Sequence, residues 1–322
     1  MRSNIDEKNK GFALAFGSAL VLSLTAIFIR HLTQAYALPA LVLAYWREVF
    51  TAAGLFLFFL VRNPKLIGGI KGHGRLLTGY GLVLAVFNAL WTLSVSLNGA
   101  AVATVLAYSS AGFAVLLGWL ILGEPLTTKK IIATVMSLAG CALVVDALNP
   151  DVWEINLVGM AAGIAAGIFY ALYSIMGRAA SEKGLNTWTT LMVIFAIASV
   201  FMLSFNVFSF GMIPGAADTP ADIFWPGGDR TGWLILITLA IGPTLIGYGL
   251  YNAALQHLES SITNLIVTIE PVFTAVIAYF LFGELFSATQ IGGAVLIMSA
   301  VLVLRIKGKG KSPLVGAHQK RR

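Results

Sequence analysis

Long apolar runs separated by short polar punctuation dominate the chain. Ten are marked out, at 11–29, 39–61, 76–97, 100–122, 129–146, 156–177, 187–210, 231–255, 261–282 and 287–305. Most lie near the ~20 residues a helix needs to cross a hydrocarbon core. The short connections between them predict antiparallel helical hairpins. Two connections are longer: 62–75 is basic and glycine-rich, and 211–230 is rich in Pro, Gly and Asp. The second reads as irregular, with Trp225 and Trp233 suited to a membrane–water interface. The first apolar run exceeds the ~7–15 residues usual in a secretory signal and ends in Arg30-His31, not at a small-residue cleavage site. It reads as a retained first membrane helix. The expected fold class is all-α integral membrane, with ten transmembrane helices.

Composition agrees. Of 322 residues, 58% are hydrophobic and 11% charged, against about 25% charged in soluble domains. Lys and Arg number 21 against 14 Asp and Glu, and their distribution points to membrane orientation, not nucleic acid. With the N-terminus cytoplasmic, ten spans place all but three of those 21 basic residues on the cytoplasmic side. The exceptions are Arg30, Arg230 and Arg47, the last inside a span. Acidic residues (Asp146, Asp151, Glu154, Asp218, Asp222, Asp229, Glu284) collect on the other side. The expected location is the cell membrane, multi-pass, with both termini cytoplasmic. The basic tail 307–322 suits either contact with an anionic leaflet or a solvated, orientation-setting role.

An internal repeat follows. Ala111–Val144 set against Pro271–Leu304, 160 residues on, pairs Phe113 with Phe273 and Gly123-Glu124 with Gly283-Glu284. The same register pairs Thr127 with Ser287, Ile131 with Ile291 and Val135 with Val295. At an offset of 148, Gly11 meets Gly159 and Arg30 meets Arg178. The chain divides into five-helix units at 1–148 and 155–306. Five is odd, so the copies are expected in opposite orientations, as in secondary transporters with a midplane site between halves. The repeated Gly-Glu reads as hairpin punctuation: Gly for a left-handed C-cap, Thr127 or Ser287 as the next N-cap, and Glu near that helix's positive end.

The segment EPVFTAVIAYFLFGE, the arginine in AYWRE and the two five-helix units resemble the drug/metabolite transporter superfamily, specifically its EamA-type members. The resemblance covers almost the whole chain. It implies transport, often export, of amino acids, related metabolites or drugs through a central cavity. Ser110-Ala111 stands where the second repeat has Glu270-Pro271, which argues against a symmetric two-site mechanism. Glu48 lies outside the family pattern.

Three ionisable residues fall well inside expected spans: Arg47, Glu48 and Glu270. Each costs about 2.5–3.5 kcal/mol at the centre of a lone helix, so each is expected to face protein or water. Arg47 and Glu48 are neighbours, about 100° apart on a helix, and cannot face one partner. Arg47 is expected to pair with Glu270 or with a substrate carboxylate, which its planar fork binds bidentately; a structural ion pair is the alternative. Pro271 is expected to strip the Val267 carbonyl of its helical donor, either shaping the bundle or exposing a coordinating oxygen. Gly242-Pro243 is expected to break the eighth segment. A second constellation joins Tyr170, Tyr173, Tyr248, Tyr251 and Asn252, with Asn88 and Trp91 at the repeat-equivalent positions of Tyr248 and Tyr251. Such a face suits a cavity for zwitterionic or aromatic metabolites, or plain packing. Small residues on the sixth segment (Gly159, Gly163, Ala166, Gly167) allow close helix approach.

No HExxH, nucleophile elbow or phosphate loop is present, the four histidines do not cluster, and Cys141 is the single cysteine. No catalytic residue, metal or cofactor is expected. The leading reading is a secondary carrier, an exporter of small organic solutes by alternating access, with a small-molecule substrate, the lipid bilayer as surroundings and no nucleic-acid partner. Glu270 or Glu48 is the candidate for proton coupling. An intramembrane enzyme or lipid-modifying membrane protein, or a channel, is the alternative, and oligomeric state is not legible.

Overall fold

Each of the ten apolar segments forms a helical unit, and four of them are interrupted. The computed structural model describes residues 2–62, 72–150, 156–209, 211–225, 227–282 and 287–305. Gly283-Glu284, Asp151, Glu154 and the basic tail lie outside the described residues. Within them the α-helices run α1 (Arg2–Leu22), α2 (Thr25–Ala35), α3 (Ala40–Arg62), α4 (Gly74–Tyr108), α5 (Ser110–Leu122) and α6 (Thr128–Val144). The second half follows with α7 (Leu157–Glu182), α8 (Thr187–Phe208), α9 (Arg230–Leu239), α10 (Gly247–Ala254), α11 (Ser260–Val267), α12 (Glu270–Phe282) and α13 (Ala288–Arg305). A π-helical stretch, Ala240–Ile246, holds Pro243 and joins α9 to α10. The break expected at Gly242-Pro243 is therefore a widened turn, which absorbs a missing amide without ending the helix. α4 covers two segments because Gly99 turns the chain at φ 77° and ψ 162°, a conformation open essentially to glycine alone.

Among the described residues, eight stretches are long and apolar enough to cross a membrane, from Asp6–Ala35 to Ser260–Ile277. The remaining two segments, α6 and the apolar Ala288–Leu304, have 17 residues each, roughly 25 Å of helix. Polarity is inverted relative to a soluble protein. Phe58, Val61, Val135 and Phe280 point outward, while Arg47, Glu48, Asn88, Asn264 and many Ser and Thr side chains are buried. Apolar side chains outside and satisfied polar groups inside are what a hydrocarbon solvent selects. The most extensive helix pairings all join residues before 148 to residues after 155: α4 with α7 and α8, α6 with α13, α3 with α8, α1 with α10, and α5 with α7. The core is thus built between the halves.

The breaks at Ser109 and at Thr268-Ile269 share one hydrogen-bond pattern. Ser109 N donates to Leu106 O at 3.1 Å, and the amides of Gly112 and Phe113 return to Ser109 O at 3.0 and 3.2 Å. Exactly the same positions 160 residues later repeat it: Ile269 N to Ile266 O at 3.2 Å, then Val272 and Phe273 to Ile269 O at 2.9 and 3.4 Å. The first break contains no proline. A break of this pattern thus does not require a proline. Pro271 lies in the first turn of α12, where a helix has no use for the missing amide. Small residues on α7 let the bundle close around the first break: a Cβ on Gly167 would lie 2.3 Å from Ser109 Oγ.

Gly123 takes the expected left-handed conformation at φ 67°, with Glu124 N bonded to Gly118 O. Thr127 caps α6 through Lys130 N, and Ser287 caps α13 through Gln290 N. The reading of Glu124 is corrected. Its carboxylate reaches the other half, accepting from Ser260 N at 2.7 Å, Ser260 Oγ at 2.6 Å, Ser261 N at 3.3 Å and the Ser261 hydroxyl. It caps α11, a helix of the other half. Lys130 lies 3.5 Å away and bridges on to Glu259 at 2.5 Å. Burial pushes the Glu124 carboxyl up; the hydroxyls of Ser260 and Ser261, Lys130 and the Ser260 amide pull it down, and the net position is below the ordinary carboxylate value. A depressed folded-state pKa stabilises the fold above the unfolded value, near 4.3, and that contribution is lost as pH falls through the folded pKa. Glu124→Gln is expected to lower stability by about 2 kcal/mol at neutral pH and to flatten the acid limb of melting temperature against pH. An unchanged acid limb would contradict this assignment.

Candidate functional site: a buried polar cavity

A cavity of about 50 Å³ lies between the halves, walled by α1, α2, α3, α4, α7, α10 and α12. Seven of the sequence candidates reach it: Arg47, Trp91, Tyr170, Tyr173, Tyr248, Tyr251 and Glu270. Arg47 on α3 is 1% exposed, and its Nε and Nη2 atoms have no hydrogen-bond partner. Its guanidinium carbon stands 5.9 Å from the centroid of the Trp91 ring, a cation–π distance. Glu270 opens α12 directly after the break, and its Oε2 accepts from the Tyr108 hydroxyl at 2.6 Å. The two breaks put these residues together: Tyr108 ends α4 just before one, and Glu270 follows the other.

Arg47 and Glu270 are not ion-paired, contrary to the first of the two partners expected for Arg47. Ion pairs among the described residues include Lys130–Glu124, Lys130–Glu259 and Arg178–Glu182. The reason is geometric. The Glu270 carboxylate is taken by Tyr108, and the guanidinium lies over Trp91. Thr25 Oγ1 at the cavity wall is likewise buried and unpartnered.

Aromatic rings form the remaining wall. Phe87 stacks on Tyr170 at 4.8 Å with 9° between planes, Tyr170 meets Tyr251 at 5.7 Å, and Tyr173 meets Tyr248 edge-on at 5.5 Å. Their hydroxyls are tied from behind. Tyr248 donates to Asn88 Oδ1 at 3.2 Å, and Asn88 Nδ2 donates to Glu48 Oε1 at 2.9 Å. Asn252 donates to the Tyr173 oxygen and accepts from Tyr80 at 2.8 Å. Ser174 and Tyr251 hydroxyls lie 2.6 Å apart, and Asn264 Nδ2 donates to both.

Glu48, Asn88, Asn252 and Pro271 therefore do not line the cavity. The two amides orient the tyrosines, and Glu48, fully buried with Oε2 unpartnered, sits one residue further back. Sequence reasoning missed Tyr108, Thr25, Phe87 and Thr104. A signal for Tyr108 existed: the register of 160 places Ser109-Ser110 opposite Ile269-Glu270, so the residue before the first break falls near Glu270. Phe87 and Thr25 carried none, being ordinary residues in apolar runs.

Arg47, Glu270 and a set of aromatic rings lining one cavity, inside an apolar-coated helical bundle, mark a multi-pass membrane protein. Residues 9–146 and 157–306 each match the EamA-like transporter family. The chain belongs to that family, within the drug/metabolite transporter superfamily, and is a transporter. An uncharacterized transporter of Archaeoglobus fulgidus is 25% identical over 253 residues, 77% of this chain and 83% of the relative. A protein of Salmonella typhimurium described as a probable amino-acid metabolite efflux pump is 26% identical over 269 residues, covering 83% and 85%. A protein of Escherichia coli bearing the same description is 26% identical over 270 residues, covering 83% and 85%. One solved crystal structure superposes with a TM-score of 0.73 over 92% of this chain and 96% of that chain at 19% identity, a likeness of fold alone.

Proposed function

We propose that the chain is a secondary carrier that exports small zwitterionic metabolites, amino acids or close relatives, by alternating access through this cavity. One observation carries the reading: a buried guanidinium with two unpartnered donors lines a cavity that a carboxylate, Glu270, lines as well. A buried charge without a partner is costly, and a substrate carboxylate is the partner its planar fork fits. The Glu270 carboxylate, held by Tyr108, takes the ammonium group. The aromatic rings take the apolar body, and the description of the Salmonella and Escherichia relatives supports the same substrate class.

Inverted repeats of five helices, at 1–148 and 155–306, underlie the movement in this reading. Ten spans then put both termini in the cytoplasm. Two matches to one family, the shared break pattern and the cross-pairing of the halves all support it. At about 50 Å³ the cavity holds a few waters, so the halves must part to admit an organic solute. Purified protein in proteoliposomes is expected to give saturable counterflow of labelled amino acids, recovered chemically unchanged. No saturable exchange with amino acids, nucleosides or cationic drugs would overturn the carrier reading, and conductance without saturation would make it a channel.

A further inference from the structure

We infer that Glu124 is a positioning residue of the carrier: its clasp on α11 holds the cytoplasmic end shut and sets which side the cavity faces at rest. The inference rests on the carrier reading and on the cytoplasmic placement of the α5–α6 and α10–α11 connections.

The clasp joins the halves at a place where separation is required for access. Glu124 belongs to the α5–α6 connection and its four donors belong to the first two residues of α11. The carboxylate is 7% exposed, so water does not compete for these bonds. It is lodged against the α5 backbone, where a Cβ on Gly118 would meet Glu124 Oε2 at 2.7 Å.

α11 carries the clasp to the cavity. One turn beyond Ser260, Asn264 donates to Ser174 and to the Tyr251 hydroxyl, and its Oδ1 accepts from Ser110 at the first break, 3.1 Å away. Tyr251 is a wall of the cavity. α11 ends at the second break, so this eight-residue helix can tilt separately from α12. Releasing its N-terminus frees the turn that holds Tyr251 and Ser110 together.

The two ends of the molecule are not equivalent. In the register of 160, Ser260 and Ser261 correspond to Ala100 and Ala101. Alanines bring no hydroxyl, so two of the four donors have no counterpart at the opposite end.

Sided thiol labelling tests this without a substrate. Ala107→Cys, in the cavity wall, is placed in a Cys141→Ala background, and a membrane-impermeant maleimide is applied from each side of oriented vesicles. With Glu124 intact, labelling from the cytoplasmic side is expected to be slow. Glu124→Gln, or Ser260→Ala with Ser261→Ala, is expected to raise that rate about tenfold, the shift from losing one charge-assisted bond. Gly118→Ala displaces the carboxylate without changing any charge and is expected to act the same way, while Glu124→Asp restores part of the slow rate. Unchanged cytoplasmic labelling in variants that elute as folded monodisperse protein would overturn the clasp. A rise on the external side would overturn its sidedness. Wild-type counterflow separates the two readings: exchange present with labelling unmoved defeats only the clasp, and exchange absent defeats the carrier.

Discussion

Arg47→Ala sharply weakens counterflow while leaving the melting temperature unchanged or higher; that is the expected result for a guanidinium kept for substrate. Removing one member of a buried, hydrogen-bonded charge pair costs about 2–5 kcal/mol of binding, at least about thirtyfold in apparent affinity. Were Arg47 a structural ion-pair partner, its removal would instead lower stability by about 3–5 kcal/mol by stranding the opposite charge. No such opposite charge is bonded to it, and two of its nitrogens have no partner. Loss of stability with retained transport would reverse the assignment. Arg47→Lys keeps the charge but not the planar fork, and is expected to recover only a small part of the activity.

Glu270→Gln is expected to produce the second largest loss, and one that discriminates between ends of the substrate. If Glu270 takes the ammonium and Arg47 the carboxylate, the variants respond differently to truncated substrates. Competition by the deaminated acid should survive in Glu270→Gln and vanish in Arg47→Ala. Competition by the decarboxylated amine should do the reverse. The expected loss of affinity for the intact amino acid in Glu270→Gln is about thirtyfold or more. Tyr108→Phe removes the 2.6 Å donor to Glu270, costing about 1–3 kcal/mol. Because both changes act on one hydrogen-bonded unit, the double variant should be little worse than Glu270→Gln alone. Equal weakening of acid and amine in either single variant would remove the polar axis from the site.

Which residues cluster was legible only in part. Arg47 and Glu270 stood out because an ionisable side chain inside an apolar run needs a reason, and both reach the cavity. The tyrosines stood out by their spacing of three on one helix face. Asn88 shared that spacing with Trp91 and Asn252 followed Tyr251 directly, yet both amides sit behind the rings, since side-chain direction within a face depends on which helix packs there. Pro271 reads from the sequence as a helix breaker. Its harmless place in the first turn of α12 becomes visible only once the break pattern at Ser109 is set beside it. Glu124 misled because sequence places it beside α6, whereas the bundle brings α11 closer.

Sequence by itself determined the membrane class, the ten apolar segments, the register of 160 between the halves and the caps at Gly123, Thr127 and Ser287. These are local or periodic properties, set by hydrocarbon solubility and by backbone hydrogen bonding within a few residues. Tertiary structure decided the rest: that Arg47 and Glu270 face one cavity without pairing, that Tyr108 holds Glu270, and that Glu124 fastens the opposite half. Those outcomes depend on contacts between residues 136 and 162 positions apart, where no local pattern records the partner.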